Sequence, residues 1–167
     1  MFDAQALLSG DETALADAVD TLTPELYRYA AGILLSRADA EDAVQNAFLS
    51  FWRHRTSVRT PDAVRAYLYR CTYRACVDII RRNRLFLPLP RQEDTRVLSE
   101  TMQTALSCLS AAERALVYER AVLETPYDEL AAHLGLRPEN VRKKYERAKK
   151  KLARLLPAVE TEVRNEG

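Results

Sequence analysis

The segment from Tyr127 to Leu152 constrains the fold more than any other, because it holds two helical patterns separated by one short turn. In the first pattern, Leu130, Ala131 and Leu134 share one side of a helix. Gly135 then permits a sharp turn, and Pro138 marks the start of a second helix. An apolar stripe recurs at three- and four-residue intervals along that second helix, at Val141, Tyr145, Ala148, Leu152 and Leu155. The segment predicts a helix-turn-helix, whose second helix enters the major groove of DNA.

The other side of the second helix carries the candidate DNA-reading residues, namely Asn140, Lys143, Lys144 and Arg147. An asparagine near the start of such a helix suits an adenine edge, and the basic side chains suit guanine or phosphate. The run Lys149–Lys151 suits backbone phosphate better than bases. A solvated basic face on a purely structural helix is the alternative interpretation.

Helix signals cover most of the remaining chain. The whole sequence contains only four glycines, which is few for a β-rich fold. Three Thr-Pro pairs predict helix starts, with a threonine N-cap before a proline at the first helical position: Thr23-Pro24, Thr60-Pro61 and Thr125-Pro126. Ser110 with Glu113 predicts a capping box, Asp39 with Asp42 a looser acidic version, and Pro157 a helix end. The predicted helices are 11–21, 24–36, 40–54, 61–83, 99–108, 111–123, 126–133 and 138–156. The stretch Leu85–Leu98 contains Pro88 and Pro90 and predicts a linker between two small four-helix domains. We therefore expect an all-α fold.

The segment Asp39–Arg53 predicts a helix with two different sides. Its apolar side is expected to lie in the core and consists of Val44, Ala47, Phe48, Phe51 and Trp52. Its other side mixes polar and apolar residues at i, i+4 spacing: Glu41, Gln45, Leu49 and Arg53. From spacing alone, that second side is equally a docking surface or an ordinary solvent face.

The helix predicted over 61–83 presents three arcs. The core arc consists of Val64, Leu68, Cys71, Ala75 and Ile79. A second arc aligns four arginines, Arg70, Arg74, Arg81 and Arg84, in a pattern that would track phosphates. A third holds Tyr69, Tyr73 and Ile80, and its tyrosines either pack or stack on unpaired bases. The preceding stretch Arg53–Pro61 is polar and basic, and predicts a loop of the kind that can reach a flipped base.

Charge is strongly segregated even though the formal net charge is only +1. Residues 1–50 carry 2 basic and 9 acidic side chains, residues 53–84 carry 9 and 2, and residues 138–154 carry 8 and 2. Two separate basic segments favour contact with a polyanion.

The three cysteines, Cys71, Cys76 and Cys108, show no metal-ligand spacing with the histidines and are expected to be reduced, buried thiols. We expect no metal and no cofactor. The acidic start and the lack of a long apolar run predict a cytoplasmic protein without membrane insertion.

Three stretches together resemble the extracytoplasmic-function group of bacterial sigma factors. The stretch DAEDAVQNAFLSFW resembles the second conserved region of that family, usually D-A-E-D-x-V-Q-E-T-F-L-x-x-W. AYLYRCTYRACVDIIRR resembles the segment after it, with Leu68, Asp78 and Arg81 at family positions. LETPYDELAAHLGLRPENVRKKYERAKKKL resembles the fourth region. The resemblance covers roughly residues 11–156.

The resemblance implies a two-domain transcription initiation factor whose partners are core RNA polymerase and promoter DNA. Residues 1–84 would form the polymerase-docking and −10 domain, 85–98 a linker threading towards the active-site cleft, and 99–167 the −35 domain touching the β flap. Docking on the β′ clamp helices would use Asp42, Gln45, Asn46 and Leu49. Melting and holding the −10 element would use Arg53, Arg55 and Arg59 of the loop with Arg70, Arg74 and Arg81 of the helix. Reading the −35 element would use Asn140, Lys143, Lys144 and Arg147. An anti-sigma factor is a further expected partner.

Several positions depart from the family pattern. Tyr67 stands where the family has Trp, Arg74 where it usually has Asn, and Asn46 where it usually has Glu. In the fourth region, Glu139-Asn140-Val141 replaces Gly-Thr-Val, and Lys143 replaces a small residue. These departures bear on the −35 preference and on docking affinity, but not on the fold.

Three other functions compete with this interpretation. A polymerase-independent helix-turn-helix regulator explains residues 126–152 but leaves the docking helix and the arginine-rich helix without a role. An enzyme is disfavoured, because the sequence has no phosphate-binding glycine loop, metal motif or nucleophile–base arrangement. A protein-interaction adaptor derived from a sigma factor would be marked by loss of the arginines, which are present.

Overall fold

The chain folds into two compact units, Met1–Glu93 and Asp94–Gly167. The structure is a computed structural model that describes residues 1–86 and 100–165. Within those residues every regular element is helical, which confirms the predicted all-α fold. The expected linker lies mostly outside the described residues; its first two positions, Leu85 and Phe86, end a helix instead.

The first unit contains four α-helices and one 3₁₀ turn. They are α1 (Ala4–Ser9), α2 (Glu12–Leu34), α3 (Arg37–His54), the 3₁₀ turn Arg55–Ser57, and α4 (Ala63–Phe86). Helices α2, α3 and α4 pack on one another around the core. The largest fully buried side chains in this core are Leu7, Leu26, Tyr29, Ile33, Phe51 and Leu68.

The second unit also contains four helices: α5 (Glu100–Ser107), α6 (Ala111–Ala121), α7 (Tyr127–Leu134) and α8 (Pro138–Asn165). Helix α8 packs on the other three. Leu116, Leu130 and Val141 are fully buried and join α6, α7 and α8.

Helix caps explain several boundaries. The carboxylate of Asp3 accepts from the amides of Gln5 and Ala6, which starts the short helix α1 that the sequence did not predict. The Ser110–Glu113 capping box is confirmed in both directions, with distances of 3.2 and 2.9 Å.

The predicted acidic cap of α3 is wrong. Ser36 caps this helix through its hydroxyl, which accepts from the amide of Asp39. Asp39 therefore lies inside the first turn, where its charge still favours the helix N-terminus.

The expected break at Thr23-Pro24 is also wrong, because α2 runs continuously through Pro24. Proline removes one backbone hydrogen bond, here to the carbonyl of Asp20. Asp20 and Pro24 are exposed, so water can satisfy that carbonyl, while Leu22 and Leu26 on the opposite side are buried. Burial of both leucines outweighs the lost bond. The expected end at Pro157 is wrong as well, since α8 continues to Asn165.

The other two Thr-Pro pairs precede helices but do not cap them as expected. Helix α4 begins at Ala63, two residues after Pro61, with its first amides bonded to the carbonyls of Thr60 and Pro61. Pro126 itself occupies the N-cap position of α7, and no side chain caps that helix.

The predicted core faces are largely confirmed. On α4, Val64, Leu68 and Ile79 are buried, whereas Ala75 is half-buried. On α8, Val141 and Ala148 are buried, while Tyr145, Leu152 and Leu155 are half-buried.

The three cysteines are free, and only two of them match the prediction. Cys71 and Cys76 are buried, as expected, but Cys108 is exposed, so the prediction was wrong there. Among the described residues, no helix is both long and apolar enough to cross a bilayer.

Candidate nucleic-acid interface

Helices α7 and α8 form the predicted helix-turn-helix. Gly135 ends α7 with a left-handed φ of 65°, and its amide donates to the carbonyl of Ala131. The amide of Leu136 donates to the same carbonyl at 2.9 Å, which closes the turn. Leu134 and Val141 are buried on either side of it. The turn therefore fixes the angle at which α8 leaves the domain.

The four candidate reading residues of α8 are all exposed: Asn140, Lys143, Lys144 and Arg147. Within the described part of the chain, no ion pair engages the three basic side chains among them. The face opposite the buried Val141 and Ala148 is thus open and positively charged.

Two arginines that the sequence analysis did not single out support the helix-turn-helix. Arg120 and Arg142 place their guanidinium carbons 4.7 and 5.8 Å from the ring centre of Tyr127. Tyr127 also meets Tyr145 edge to face, with ring centres 6.3 Å apart. Tyr127 thus ties the ends of α6 and α7 to α8, an arrangement that helical spacing within one segment cannot reveal.

Lys151, the last member of the predicted phosphate-binding run, pairs with Glu113. Its Nζ donates to Oε1 of Glu113 at 2.7 Å. Burial raises the pKa of Glu113, but the hydrogen bonds from Lys151 and Ser110, together with the charge of Lys151, outweigh it, so the pKa lies below its ordinary value. The cap of α6 and the middle of α8 are therefore joined.

A buried polar pair joins α6 to α7. Glu119 is fully buried, and its Oε2 lies 2.7 Å from Nδ1 of His133. The side chain of His133 is 10% exposed. Neither residue was expected in the core, since charged side chains are almost never fully buried without a partner.

In the first unit, the candidate docking residues of α3 are all exposed: Asp42, Gln45, Asn46 and Leu49. Leu49 is 55% exposed and is one of three exposed large apolar side chains among the described residues. All four lie on one exposed side of α3, which two grooves border: Gln45 and Leu49 line one, and Asn46 lines the other.

The groove between α2 and α3, the apolar groove, has a volume of about 550 Å³. Its walls are mainly aliphatic and aromatic, formed by Leu15, Val19, Thr23, Tyr27, Glu41, Val44, Gln45, Phe48, Leu49 and Trp52. The side of α3 that the sequence left open between docking and solvent therefore borders a concave apolar surface.

The groove between α3 and α4, the basic groove, has a volume of about 530 Å³. It is lined by Asn46, Ser50, Cys71, Arg74, Ala75, Asp78, Arg81 and Arg82. The thiol of Cys71 lies 4.0 Å from the hydroxyl of Ser50. Burial raises the pKa of this thiol despite the opposing effects of Ser50 and the nearby Arg70 and Arg74. The thiol is therefore neutral at neutral pH and leaves the arginine charge intact.

The predicted basic loop is partly helical. Arg53 belongs to α3 and is exposed, and Arg59 is exposed beyond the 3₁₀ turn. Arg55 instead stacks on Trp52 at 4.2 Å and donates to the backbone carbonyl of Trp52 at 2.7 Å. It also lies against Gly10, so the structure assigns Arg55 to the packing of α1 on α3 rather than to the loop surface.

The predicted arginine stripe of α4 is uneven. Arg74 and Arg81 are exposed, whereas Arg70 is half-buried and lies over the ring of Tyr67 at 5.0 Å. The side chain of the fourth arginine, Arg84, lies outside the described residues. Tyr69 is buried, with its ring centre 5.0 Å from that of Tyr29, so it packs in the core and cannot stack on a base.

Comparisons with known proteins agree with both units. Residues 18–86 match the family model for sigma-70 region 2, and residues 99–152 match that for sigma-70 region 4. The chain is 29% identical over 174 residues to the ECF RNA polymerase sigma factor SigM of Mycobacterium tuberculosis strain Erdman, covering 95% of this chain and 85% of that protein. SigM of strain H37Rv is 29% identical over 180 residues, with 96% and 88% covered.

Two solved structures share the fold. The sigma factor RpoE, crystallised with the anti-sigma factor NepR from Bartonella quintana, has a TM-score of 0.70 at 22% identity, covering 85% of this chain and 96% of RpoE. CnrH, in complex with the cytosolic domain of CnrY, has a TM-score of 0.74 at 26% identity, covering 93% of this chain and 95% of CnrH.

Proposed function

The chain belongs to the extracytoplasmic-function group of bacterial RNA polymerase sigma factors, and from this premise we propose which surfaces bind polymerase and which bind promoter DNA. Its role is promoter-directed transcription initiation, and the family consists of transcription factors rather than enzymes. The observation that carries the assignment is the presence of two exposed surfaces in one chain: the basic face of α8 and the polar face of α3, each in its own unit.

Core polymerase docks on α3. Asp42, Gln45 and Leu49 are exposed on this helix, and burial of Leu49 on docking removes a large apolar side chain from water. The family resemblance assigns this face to the β′ clamp helices. The apolar groove beside Gln45 and Leu49 supports a protein partner rather than a nucleic acid.

The −10 element binds the arginines of the first unit. Arg53, Arg59, Arg74 and Arg81 are exposed, so their guanidinium groups are available to phosphates. Arg70 is half-buried and Arg55 is packed on Trp52, so these two contribute mainly by holding the surface in place. Residues 1–86 thus form the docking and −10 domain.

The −35 element binds α8. Asn140, Lys143, Lys144 and Arg147 are exposed along the recognition face, and the paired Lys151 is not among the DNA contacts. Residues 99–167 form this domain, which also touches the β flap, and residues 87–98 link it to the first. Holding two weak DNA-binding surfaces on one polymerase makes recognition selective.

An anti-sigma factor regulates this protein. RpoE and CnrH, whose fold this chain shares, were each solved with a bound partner, NepR or the cytosolic domain of CnrY. The proposed site of action is the cytoplasm, because polymerase and promoter DNA are found there. We assign no enzymatic activity and no cofactor to the protein.

Run-off transcription with purified core RNA polymerase tests the proposal. On fragments of the source genome, discrete transcripts should appear only when the protein is added. Leu49→Asp should abolish them, whereas Val122→Asp, at an equally exposed apolar position in the second unit, should not. If no transcripts form and the protein alone binds DNA tightly, it is a polymerase-independent regulator instead.

A further inference from the structure

The basic groove between α3 and α4 holds more positive charge than the predicted docking role of α3 explains. Three arginines line it, Arg74, Arg81 and Arg82, against a single carboxylate, Asp78. Among the described residues, no carboxylate lies within ion-pair distance of any of the three. Their charge is therefore available to a ligand, and that ligand is an anion.

The groove also offers neutral hydrogen-bond donors from the opposite wall. Asn46 and Ser50 lie one turn apart on α3 and face the arginines of α4 across the groove. Asparagine, serine and arginine side chains are typical phosphate contacts in protein–DNA complexes. The combination of donors on both walls suits a phosphodiester better than a single carboxylate.

The length of the groove fits a run of phosphates. From Cys71 to Arg82 the helix rises about 16 Å, at 1.5 Å per residue. Phosphates of one DNA strand repeat about every 3.4 Å along the duplex axis. Because the strand winds around that axis, successive phosphates lie farther apart along the strand itself, and the groove can follow only about two or three of them.

Two departures from the family pattern meet in this groove. Asn46 stands where the resembling sequences usually have Glu, and Arg74 where they usually have Asn. Both line the groove, so one change removes a negative charge and the other adds a positive charge at the same place. Their combination increases the affinity of this groove for an anion.

We propose that the basic groove binds the phosphate backbone of promoter DNA, and that Asn46, Ser50 and Arg82 are DNA-contacting residues. Asn46 is then not a polymerase-docking residue, although the resemblance assigns it to docking. The inference rests on the proposed function as a sigma factor. It adds the wall of α3 that faces α4 to the DNA-binding surface, whereas the −10 assignment uses only Arg53 at the end of α3, the loop and α4.

The test compares two isosteric substitutions on neighbouring positions of α3. Asn46→Asp puts a negative charge in the basic groove, and Gln45→Glu puts the same charge beside the apolar groove. Two quantities are measured for each variant: the affinity for core polymerase, and the affinity of the assembled holoenzyme for a labelled promoter fragment over a range of salt concentrations. A fluorophore on the exposed Cys108 reports core binding from the other unit.

Asn46→Asp should leave core affinity unchanged and reduce the slope of log affinity against log salt by about 0.7–0.9, because the new carboxylate cancels about one arginine charge in the groove. Arg82→Gln should do the same, which provides a second variant if Asn46→Asp fails to fold. Gln45→Glu should weaken core binding and leave the salt slope unchanged.

Two results would overturn the inference. If Asn46→Asp weakens core binding and keeps the salt slope, Asn46 is a docking residue. If neither Asn46→Asp nor Arg82→Gln alters the slope, the groove does not bind DNA. Failure of the wild-type protein to direct any transcription would instead refute the proposed function, so the two failures are distinguishable.

Discussion

Replacing His133 by alanine should destabilise the second unit by about 3 kcal/mol. The carboxylate of Glu119 is fully buried and lies 2.7 Å from the ring of His133. Removing one partner of a buried pair leaves the other group out of water without its hydrogen bond, which costs about 1–3 kcal/mol for a polar group and more for a charged one. We expect about 3 kcal/mol here, because Glu119 is fully buried but makes a further contact and His133 is 10% exposed.

Urea denaturation followed by two signals measures this loss. Trp52 is the single tryptophan and lies in the first unit, so its fluorescence follows that unit, whereas circular dichroism follows the helices of both. A small unit has a urea m-value near 1 kcal/mol/M, so the midpoint of the second unit should fall by roughly 2–3 M. The Trp52 transition should stay where it is.

The other histidine provides a matched control. His54 is exposed, and its ring contacts only the backbone carbonyl of Ser50, at 2.9 Å, among its hydrogen-bond partners in the described residues. His54→Ala should therefore cost less than about 0.5 kcal/mol. Glu119→Gln keeps a hydrogen bond to His133 and should cost about 1 kcal/mol. A His133→Ala loss no larger than that of His54→Ala would refute the reasoning.

Three further predictions concern the same unit. Gly135→Ala should cost about 1–2 kcal/mol in thermal denaturation, because φ is 65° but an added Cβ meets no atom within 4 Å; a loss well above that would mean that packing, not backbone strain, decides. Asn140→Ala and Lys144→Ala should each change the −35 sequences selected from a random library, at roughly 1–3 kcal/mol per lost base contact, and an unaltered profile for both would move base reading elsewhere on α8. The lowered pKa of Glu113 means that its stabilisation is complete above its ordinary value of 4.5 and is lost as the pH falls through its native pKa. Acid denaturation of Lys151→Gln should therefore show less loss of stability below pH 4.5 than that of the wild type.

Periodicity and local caps were sufficient for much of the architecture. The helix-turn-helix follows from Gly135 between two apolar patterns, and the exposed face of α8 follows from the position of Val141. The Ser110–Glu113 box was correct because each partner lies within one turn of the other. These features depend on neighbours in sequence, so the sequence specifies them directly.

Features that depend on distant contacts were not predicted. Arg55 resembles any basic loop residue in the sequence, but it stacks on Trp52 and lies against Gly10 of another turn. Lys151 belongs to a lysine run, yet Glu113, 38 positions away, engages it. Charge and spacing identify a basic segment, but they do not tell which of its members already have a partner.

Proline signals failed for an energetic reason. A proline inside a helix removes one hydrogen bond, and the Thr23-Pro24 pair therefore predicted a boundary. Helix α2 nevertheless continues, because Leu22 and Leu26 are buried on its core side and the freed carbonyl faces water. Tertiary burial outweighed the local preference, as it does for most amphipathic helices.

Helix α3 presents the same difficulty at the site itself. Its four candidate docking residues lie within an arc of about 100° on a helix that turns 3.6 residues at a time, so periodicity groups them as one face. The neighbouring helices divide that face: Gln45 and Leu49 border α2 across an apolar groove, and Asn46 borders α4 across a basic one. On our proposals, the first groove adjoins the polymerase and the second holds DNA, so the consecutive residues Gln45 and Asn46 face two different ligands. Docking of polymerase would then fix the position of the helix that forms one wall of the DNA groove, which couples binding of the enzyme to placement of the promoter.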